Sequence, residues 1–270
     1  MPKTIITSES SRKLNLKELI HYKDLFLVLA YRDLKVRYAQ TFLGLLWAIL
    51  QPLATLLIFT LIFGRAIKVD TGEIPYPVYA LAGMSAWSYF AFVMGQSGSS
   101  IIGAGDMVKK IYFPRLIIPL SKSLVAFVDF GVTLCLLIVL MIYNGVSVSA
   151  NLVFLPIFVL LNIVAALGVG IWLSALSIRY RDFQHVVPFM VQFGLYATPI
   201  AYPATLVPEK YQLLYHLNPM TGIVSGFRWC FFGDQPFDPL TSCSFLVIIL
   251  LFLSGIWYFK RMERTMADLV

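Results

Sequence analysis

Residues 151–176 read NLVFLPIFVLLNIVAALGVGIWLSAL, twenty-six positions without a charged side chain. A helix needs about twenty apolar residues to cross a hydrocarbon core of roughly 30 Å, so this stretch is long enough to span a bilayer. Five further apolar blocks, at 42–63, 78–99, 116–143, 187–202 and 241–259, repeat the pattern along the chain. In lipid a spanning segment must satisfy its own backbone groups, and helices do so. The expected fold is therefore an all-α membrane protein with six transmembrane helices. Composition agrees: 59% of the 270 residues are hydrophobic and 13% charged, against about 25% charged in ordinary soluble domains.

The net charge of +7 does not point to nucleic acid. That reading needs basic residues gathered on one soluble face, and here they lie in short segments between apolar blocks. Positive residues in short loops tend to stay cytoplasmic, and with both termini inside, seventeen of the twenty-one Lys and Arg residues fall in cytoplasmic segments. Only Arg65, Lys68, Lys210 and Arg228 fall outside. Cys135, Cys230 and Cys243 show no CxxC and no metal spacing, so buried free thiols are expected; a Cys230–Cys243 pair stays open. About forty polar residues precede the first apolar block, which does not fit a cleavable signal peptide. The first span is expected to remain in the mature protein.

Residues 1–40 are expected to form a cytoplasmic N-terminus. Within it, Leu16 to Gln40 mixes apolar side chains with Arg32, Lys35 and Arg37, and its apolar run is too short to cross. Such a helix is expected to lie amphipathically in the headgroup plane, cations toward phosphates. A six-span domain follows over 41–260, and a cytoplasmic tail over 261–270.

Three connections carry unusual chemistry. In IIGAGDMVKKIYFPR (101–115) two glycines end a helix before Asp106, Lys109, Lys110, Tyr112, Pro114 and Arg115. A short surface helix on which a soluble partner could push fits this pattern, and so does a basic loop that only fixes topology. In SIRYRDFQH (177–185) Arg179 or Arg181 can pair with Asp182 or reach headgroup phosphate; plain stop-transfer charge is the alternative. Residues 202–239 hold apolar stretches of about ten, too short to cross, broken at Asn218-Pro219. Short re-entrant outer helices, acting as a gate or as a structural cap, are expected there.

Ionisable groups inside spans are costly and usually paired or functional. Asp129 lies near the middle of the third span, and Lys122, two turns earlier on roughly the same face, is placed to lean toward it. Trp47, Tyr89, Phe90 and Tyr196 join Asp129 as channel candidates, because aromatic rings can stack on sugars; interfacial belts and packing account for most aromatic residues. The chain has no G-x-x-x-x-G-K-[ST] phosphate loop, and no HExxH or GxSxG. No catalytic residue and no metal site is assigned.

Five stretches, in order, carry a family resemblance: YRDLKVRYAQTFLGLLWAILQPL (31–53), DMVKKIYFPRLIIPLS (106–121), SIRYRDF (177–183), TPIAYP (198–203) and LNPMTGIVSGFR (217–228). Together they resemble the permease subunits of ABC exporters for O-antigen, capsule and teichoic acid. The resemblance implies a homodimer in the bacterial inner membrane, two ATP-binding subunits holding ATP and Mg on its cytoplasmic face, and a lipid-linked polysaccharide as substrate. It further implies a coupling helix at about 103–115 and outer gate helices at about 203–236 that include Asn218, Pro219 and Arg228. Arg32, Lys35 and Arg37 are candidate phosphate-attracting groups at the substrate's entry.

Two other classes compete. A membrane enzyme acting on polyprenyl-linked sugars would draw on Glu209, His216, Asp234 and Asp238, which are spread over thirty residues. An ion-coupled carrier or channel would need no ATPase partner.

Overall fold

The computed structural model describes residues 16–39, 44–180, 182–233 and 239–263. Among them every regular element is helical and no strand occurs. Two short helices come first, α1 (Leu16–His21) and α2 (Lys23–Tyr38). The next, α3 (Leu46–Phe59), widens into a π-helical turn over Thr60–Ala66. Then come α4 (Tyr76–Gly103), α5 (Gly105–Lys110), α6 (Ile117–Tyr143), α7 (Leu155–Arg179, entered through a 3-10 turn) and α8 (Phe183–Ala197). The chain closes with α9 (Glu209–His216), α10 (Pro219–Phe232) and α11 (Thr241–Met262).

Five helical segments are long and apolar enough to cross a membrane: Leu46–Ala66, Tyr76–Gly103, Ile117–Tyr143, Ala150–Arg179 and Thr241–Met262. The sixth block behaves differently. Instead of 187–202, the helix covers 183–197, and its 15 residues rise only about 22 Å. It stops because Pro199 follows Thr198: a residue before proline is pushed out of the α region, and Thr198 is extended at φ −102°, ψ 145°.

The hub is α4, buried along most of its length while the other long helices bury a third or less. It runs antiparallel to α6, with Ser97 Oγ donating to Pro119 O at 3.0 Å and Tyr89 packed at a tilt against Phe127, ring centres 5.1 Å apart. It runs parallel to α7, with Asn162 Nδ2 donating to Ala86 O at 2.9 Å. Small residues permit these approaches, as they commonly do between helices in lipid: a Cβ at Gly170 would come within 2.8 Å of Ser97, and one at Gly168 within 3.0 Å of the Phe252 backbone.

Helices α9 and α10 form a hairpin set into the bundle between α4, α7 and α11. Asn218 caps α10 by accepting from the Met220 N–H at 3.0 Å, and Pro219 occupies the first turn, where it costs no hydrogen bond. Gly233, at φ +66°, ends α10 in the left-handed conformation. Around α2 the apolar side chains are not gathered on one side. Leu29 and Ala30 are buried, while Leu27, Val28, Tyr31 and Val36 are exposed among the charges, so the single apolar face expected of an amphipathic helix is not what forms. All three cysteines are free thiols; Cys230 is buried and Cys135 exposed.

Candidate functional site

Two adjoining cavities run between α3, α4, α6 and α8. One, of about 340 Å³, is lined by Arg37, Gln51, Trp87, Phe92, Asp129 and Leu195 among others. The other, of about 420 Å³, lies between α4 and α8 and is lined by Gln96, Ser99, Gln184, Pro188 and Gln192 among others. Ala91, Phe92 and Val191 line both, so the two form one groove. Its walls are set by α8 lying antiparallel on α4: Val187 packs on Gly98, and Trp87 packs on Gly194.

One wall of the groove is ionic. Arg37, at the end of α2, pairs with Asp129 Oδ2 of α6 at 2.5 Å, and the Tyr38 hydroxyl donates to Asp129 Oδ1 at 2.5 Å. The Arg37 guanidinium also lies 4.3 Å from the centre of the Phe92 ring, a cation–π distance. One turn earlier, Asp33 pairs with Lys122 of α6, and Arg32 pairs with Asp33 at 2.9 Å. The expectation that Lys122 leans toward Asp129 is therefore corrected: Asp33 lies nearer to Lys122, and Asp129 takes Arg37. Of the three entry cations, Arg32 and Arg37 already hold carboxylates, and Lys35 is exposed. Burial pushes the Tyr38 phenol well above its ordinary value of 10.0; the hydrogen bond to Asp129 and that carboxylate's charge push it the same way.

At the end of the bundle where α5 lies, Asp106, Lys109, Lys110, Ile111 and Tyr112 are exposed, while Val108, Phe113 and Pro114 are buried. The helix is shorter than expected, six residues over 105–110, and Ile111 is extended. What fixes the segment is the end of α11. The Arg115 N–H donates to Glu263 Oε1 at 3.1 Å, and Arg115 Nη1 donates to Glu263 O at 2.6 Å. Lys260 Nζ holds the other carboxylate oxygen at 2.7 Å. Burial raises the Tyr112 phenol, and the charges of Glu18 and Glu263 raise it further. In the second loop, Arg179 lies over the Tyr180 ring, 5.3 Å from its centre. Asp182 precedes α8, and Arg181 lies outside the described residues, as do Asp234 and Asp238.

At the opposite end of the bundle, Arg228 is buried. Its Nη1 donates to Pro199 O at 2.6 Å, its Nη2 to Ile200 O at 2.7 Å, and its guanidinium stacks on Tyr79 at 3.6 Å. It thus ties α10, the break after α8 and the start of α4 together. The Asn218 side chain adds a bond from Nδ2 to Thr198 Oγ1 at 3.0 Å. These two residues and Pro219, expected at a gate, are packed joints in this structure.

The aromatic candidates divide. Tyr89 and Phe90 are buried: the Tyr89 hydroxyl donates to Ser123 O at 3.2 Å, and Phe90 packs against Trp87. Neither ring faces open space, because both lie on the side of α4 that meets its neighbours. Trp47 and Tyr196 are exposed. Sequence reasoning passed over Asp33, Tyr38, Glu263 and the groove's glutamines. Glutamine inside an apolar span was the one signal that pattern offered; the partners through which Asp33 and Glu263 join distant elements, Lys122 and Arg115, lie 89 and 148 residues away, beyond any local pattern.

Membrane-length helices arranged around a polar-lined groove define a multi-pass membrane protein. The model of the ABC-2 type transporter family matches residues 24–232. The chain is 29% identical over 249 residues to the O-antigen export system permease protein RfbA of Klebsiella pneumoniae, covering 92% of this chain and 95% of that protein. It is 27% identical over 252 residues to the protein of the same name from Myxococcus xanthus, covering 92% and 96%. Over 198 residues it is 23% identical to the polysialic acid transport protein KpsM of Escherichia coli, covering 72% and 75%. The chain belongs to the ABC-2 type transporter family and is a permease of that type.

Proposed function

We propose that this chain is the membrane half of an ABC exporter that carries a lipid-linked polysaccharide, O-antigen foremost, across the bacterial inner membrane. With α8 counted as the fifth crossing, six spans put both termini on the cytoplasmic side, in keeping with the distribution of Lys and Arg. Two copies pair, and two ATP-binding subunits, where ATP and Mg are held, dock on the cytoplasmic face.

The observation that carries this reading is the braced segment 105–116. Its exposed half, Asp106 to Tyr112, offers a partner both charge and ring. Its buried half is held by Phe113 and by the Arg115–Glu263 contacts at the foot of α11. A push on α5 then reaches the bundle as a movement of α4, α6 and α11 together, because a packed interior transmits strain instead of absorbing it. The phosphate end of the substrate meets Arg32, Lys35 and Arg37, and the sugar chain follows along the groove. Arg37 serves there as an anion site that Asp129 occupies in the resting chain.

Copurification in nanodiscs with the ATP-binding subunit encoded nearby tests this reading, followed by ATPase assay of wild type and of the Tyr112→Ala/Arg115→Ala variant. A stable complex whose ATPase activity loses its dependence on substrate in the variant is the expected result. A chain that binds no ATPase overturns the proposal. The likeness to KpsM favours capsular polysaccharide as the second substrate class; complementation of strains lacking one or the other exporter separates the two.

A further inference from the structure

The chain has seven glutamines, and four of them, Gln51, Gln96, Gln184 and Gln192, lie in the membrane-length helices or α8. All four line the groove. All four are exposed, and among the described residues none of their side-chain amides has a partner within the chain. Gln184 opens α8 beside a polar connection, but for Gln51, Gln96 and Gln192, set within apolar stretches, an amide facing hydrocarbon with nothing to bond is costly, so this wall is not a lipid wall. Something polar covers it when the protein works.

The chemistry of the covering group can be read from the lining. No ionisable side chain lines the α4–α8 cavity, and in the adjoining one Arg37 is already matched by Asp129. The site therefore has no net charge to offer an ion. Each glutamine amide presents both a donor and an acceptor, which is what a hydroxyl needs. Between the amides lie Phe92, Pro188 and Val191, apolar surfaces of the kind that take the flat side of a sugar ring. Gln96 and Ser99 stand one turn apart on α4, and Gln184 and Gln192 two turns apart on α8, so the polar groups face each other across the groove. From Gln184 to Leu195 the groove follows α8 for roughly 16 Å. A cavity of about 420 Å³ is within the size of ordinary small-molecule sites.

We propose that the α4–α8 groove is a binding site for uncharged sugar units, held by Gln96, Ser99, Gln184 and Gln192 and separate from the anion site at Arg37. This rests on the exporter reading and refines it: the groove sorts neutral glycan from acidic glycan by offering amides and no cation.

The test uses the full chain with Cys135, Cys230 and Cys243 changed to alanine, carrying Gly95→Cys, in nanodiscs with its ATP-binding subunit. Gly95 lines the same cavity, and a Cβ there meets only Val191 at 3.9 Å, so the four proposed contacts stay in place. Labelling by an uncharged maleimide is followed with maltotriose, with a sialic acid trimer and with pyrophosphate, and Glu209→Cys at the opposite end serves as control. Saturating maltotriose slows labelling at position 95 by about tenfold, while the two anions and the control site show no protection. Adding Gln96→Leu and Gln184→Leu abolishes that protection while the complex still assembles. Unchanged labelling in an assembled complex overturns the sugar site, as does a disulfide between two copies at position 95, which would mean that a second copy covers this wall. Loss of the ATPase with protection intact would overturn the exporter reading and leave the sugar site standing.

Discussion

Arg37 at the end of α2 and Asp129 in the middle of α6 meet at 2.5 Å across a groove wall, joining the helix before the first span to a helix ninety residues away. Neither charge is deeply buried: the arginine side chain is 34% exposed and the aspartate 16%. Screening by solvent limits such a pair to about 1 kcal/mol. A double-mutant cycle of Arg37→Gln and Asp129→Asn, read by thermal unfolding in detergent, is expected to show that coupling. Additive single effects would mean that the pair is incidental.

Tyr38 shares the same carboxylate, and its raised phenol has a pH signature. A group whose folded pKa lies above its unfolded value contributes stability that is fully present below the unfolded value, here 10.0. That contribution is lost as pH rises through the folded value. In an ultraviolet titration Tyr38 should remain protonated after the exposed tyrosines have ionised. Asp129→Asn should bring its ionisation down part of the way, since burial, the largest cause, remains. Tyr38→Phe should remove one late-titrating phenol.

Arg228 holds the carbonyls of Pro199 and Ile200 with two nitrogens and stacks on Tyr79. Lysine has neither the fork nor the flat face, so Arg228→Lys leaves buried carbonyls unpaired and should cost about 2–4 kcal/mol. Gly83→Ala places a Cβ 2.9 Å from Arg228 Nη2 and should destabilise by about 1–3 kcal/mol. Because both changes strike one contact, the double variant should lose less than the sum. Thermal unfolding of the three proteins in detergent measures this.

Glu263 accepts from the Arg115 N–H with its carboxylate and from Arg115 Nη1 with its backbone carbonyl, tying the 111–116 segment to the foot of α11. Glu263→Ala removes the acceptor of the Arg115 N–H, and exchange at that amide should rise about tenfold through local opening. Exchange in the middle of α11 should stay as it was. Hydrogen exchange read by mass spectrometry distinguishes this local loosening from general unfolding.

The fold class could be read directly from residues 151–176 and the blocks like it, because covering a bilayer imposes a length and an apolar content that nothing else in a chain requires. The break after the fifth block was half legible: Pro199 marks a stop for α8, but the helix's start at Phe183 depended on where it could pack against α4. The candidate site was legible as residue types and not as pairs. Lys122 and Asp129 share a face of α6, yet each pairs with α2, because the ion pairs form with the nearest opposite charge in space. Tyr89 and Phe90 carry the chemistry of a channel lining and are buried, since which side of α4 faces the groove is set by α6, α7 and α8 packing around it.

Composition and span length alone thus determined an all-α, multi-pass protein and the positions of its polar connections, since the bilayer acts on each segment independently of the others. Only the tertiary structure decided which charges are neutralised, which aromatic rings are buried and which glutamines share one groove. Those outcomes depend on distances between residues that the chain places far apart, and such distances exist only once the helices are packed.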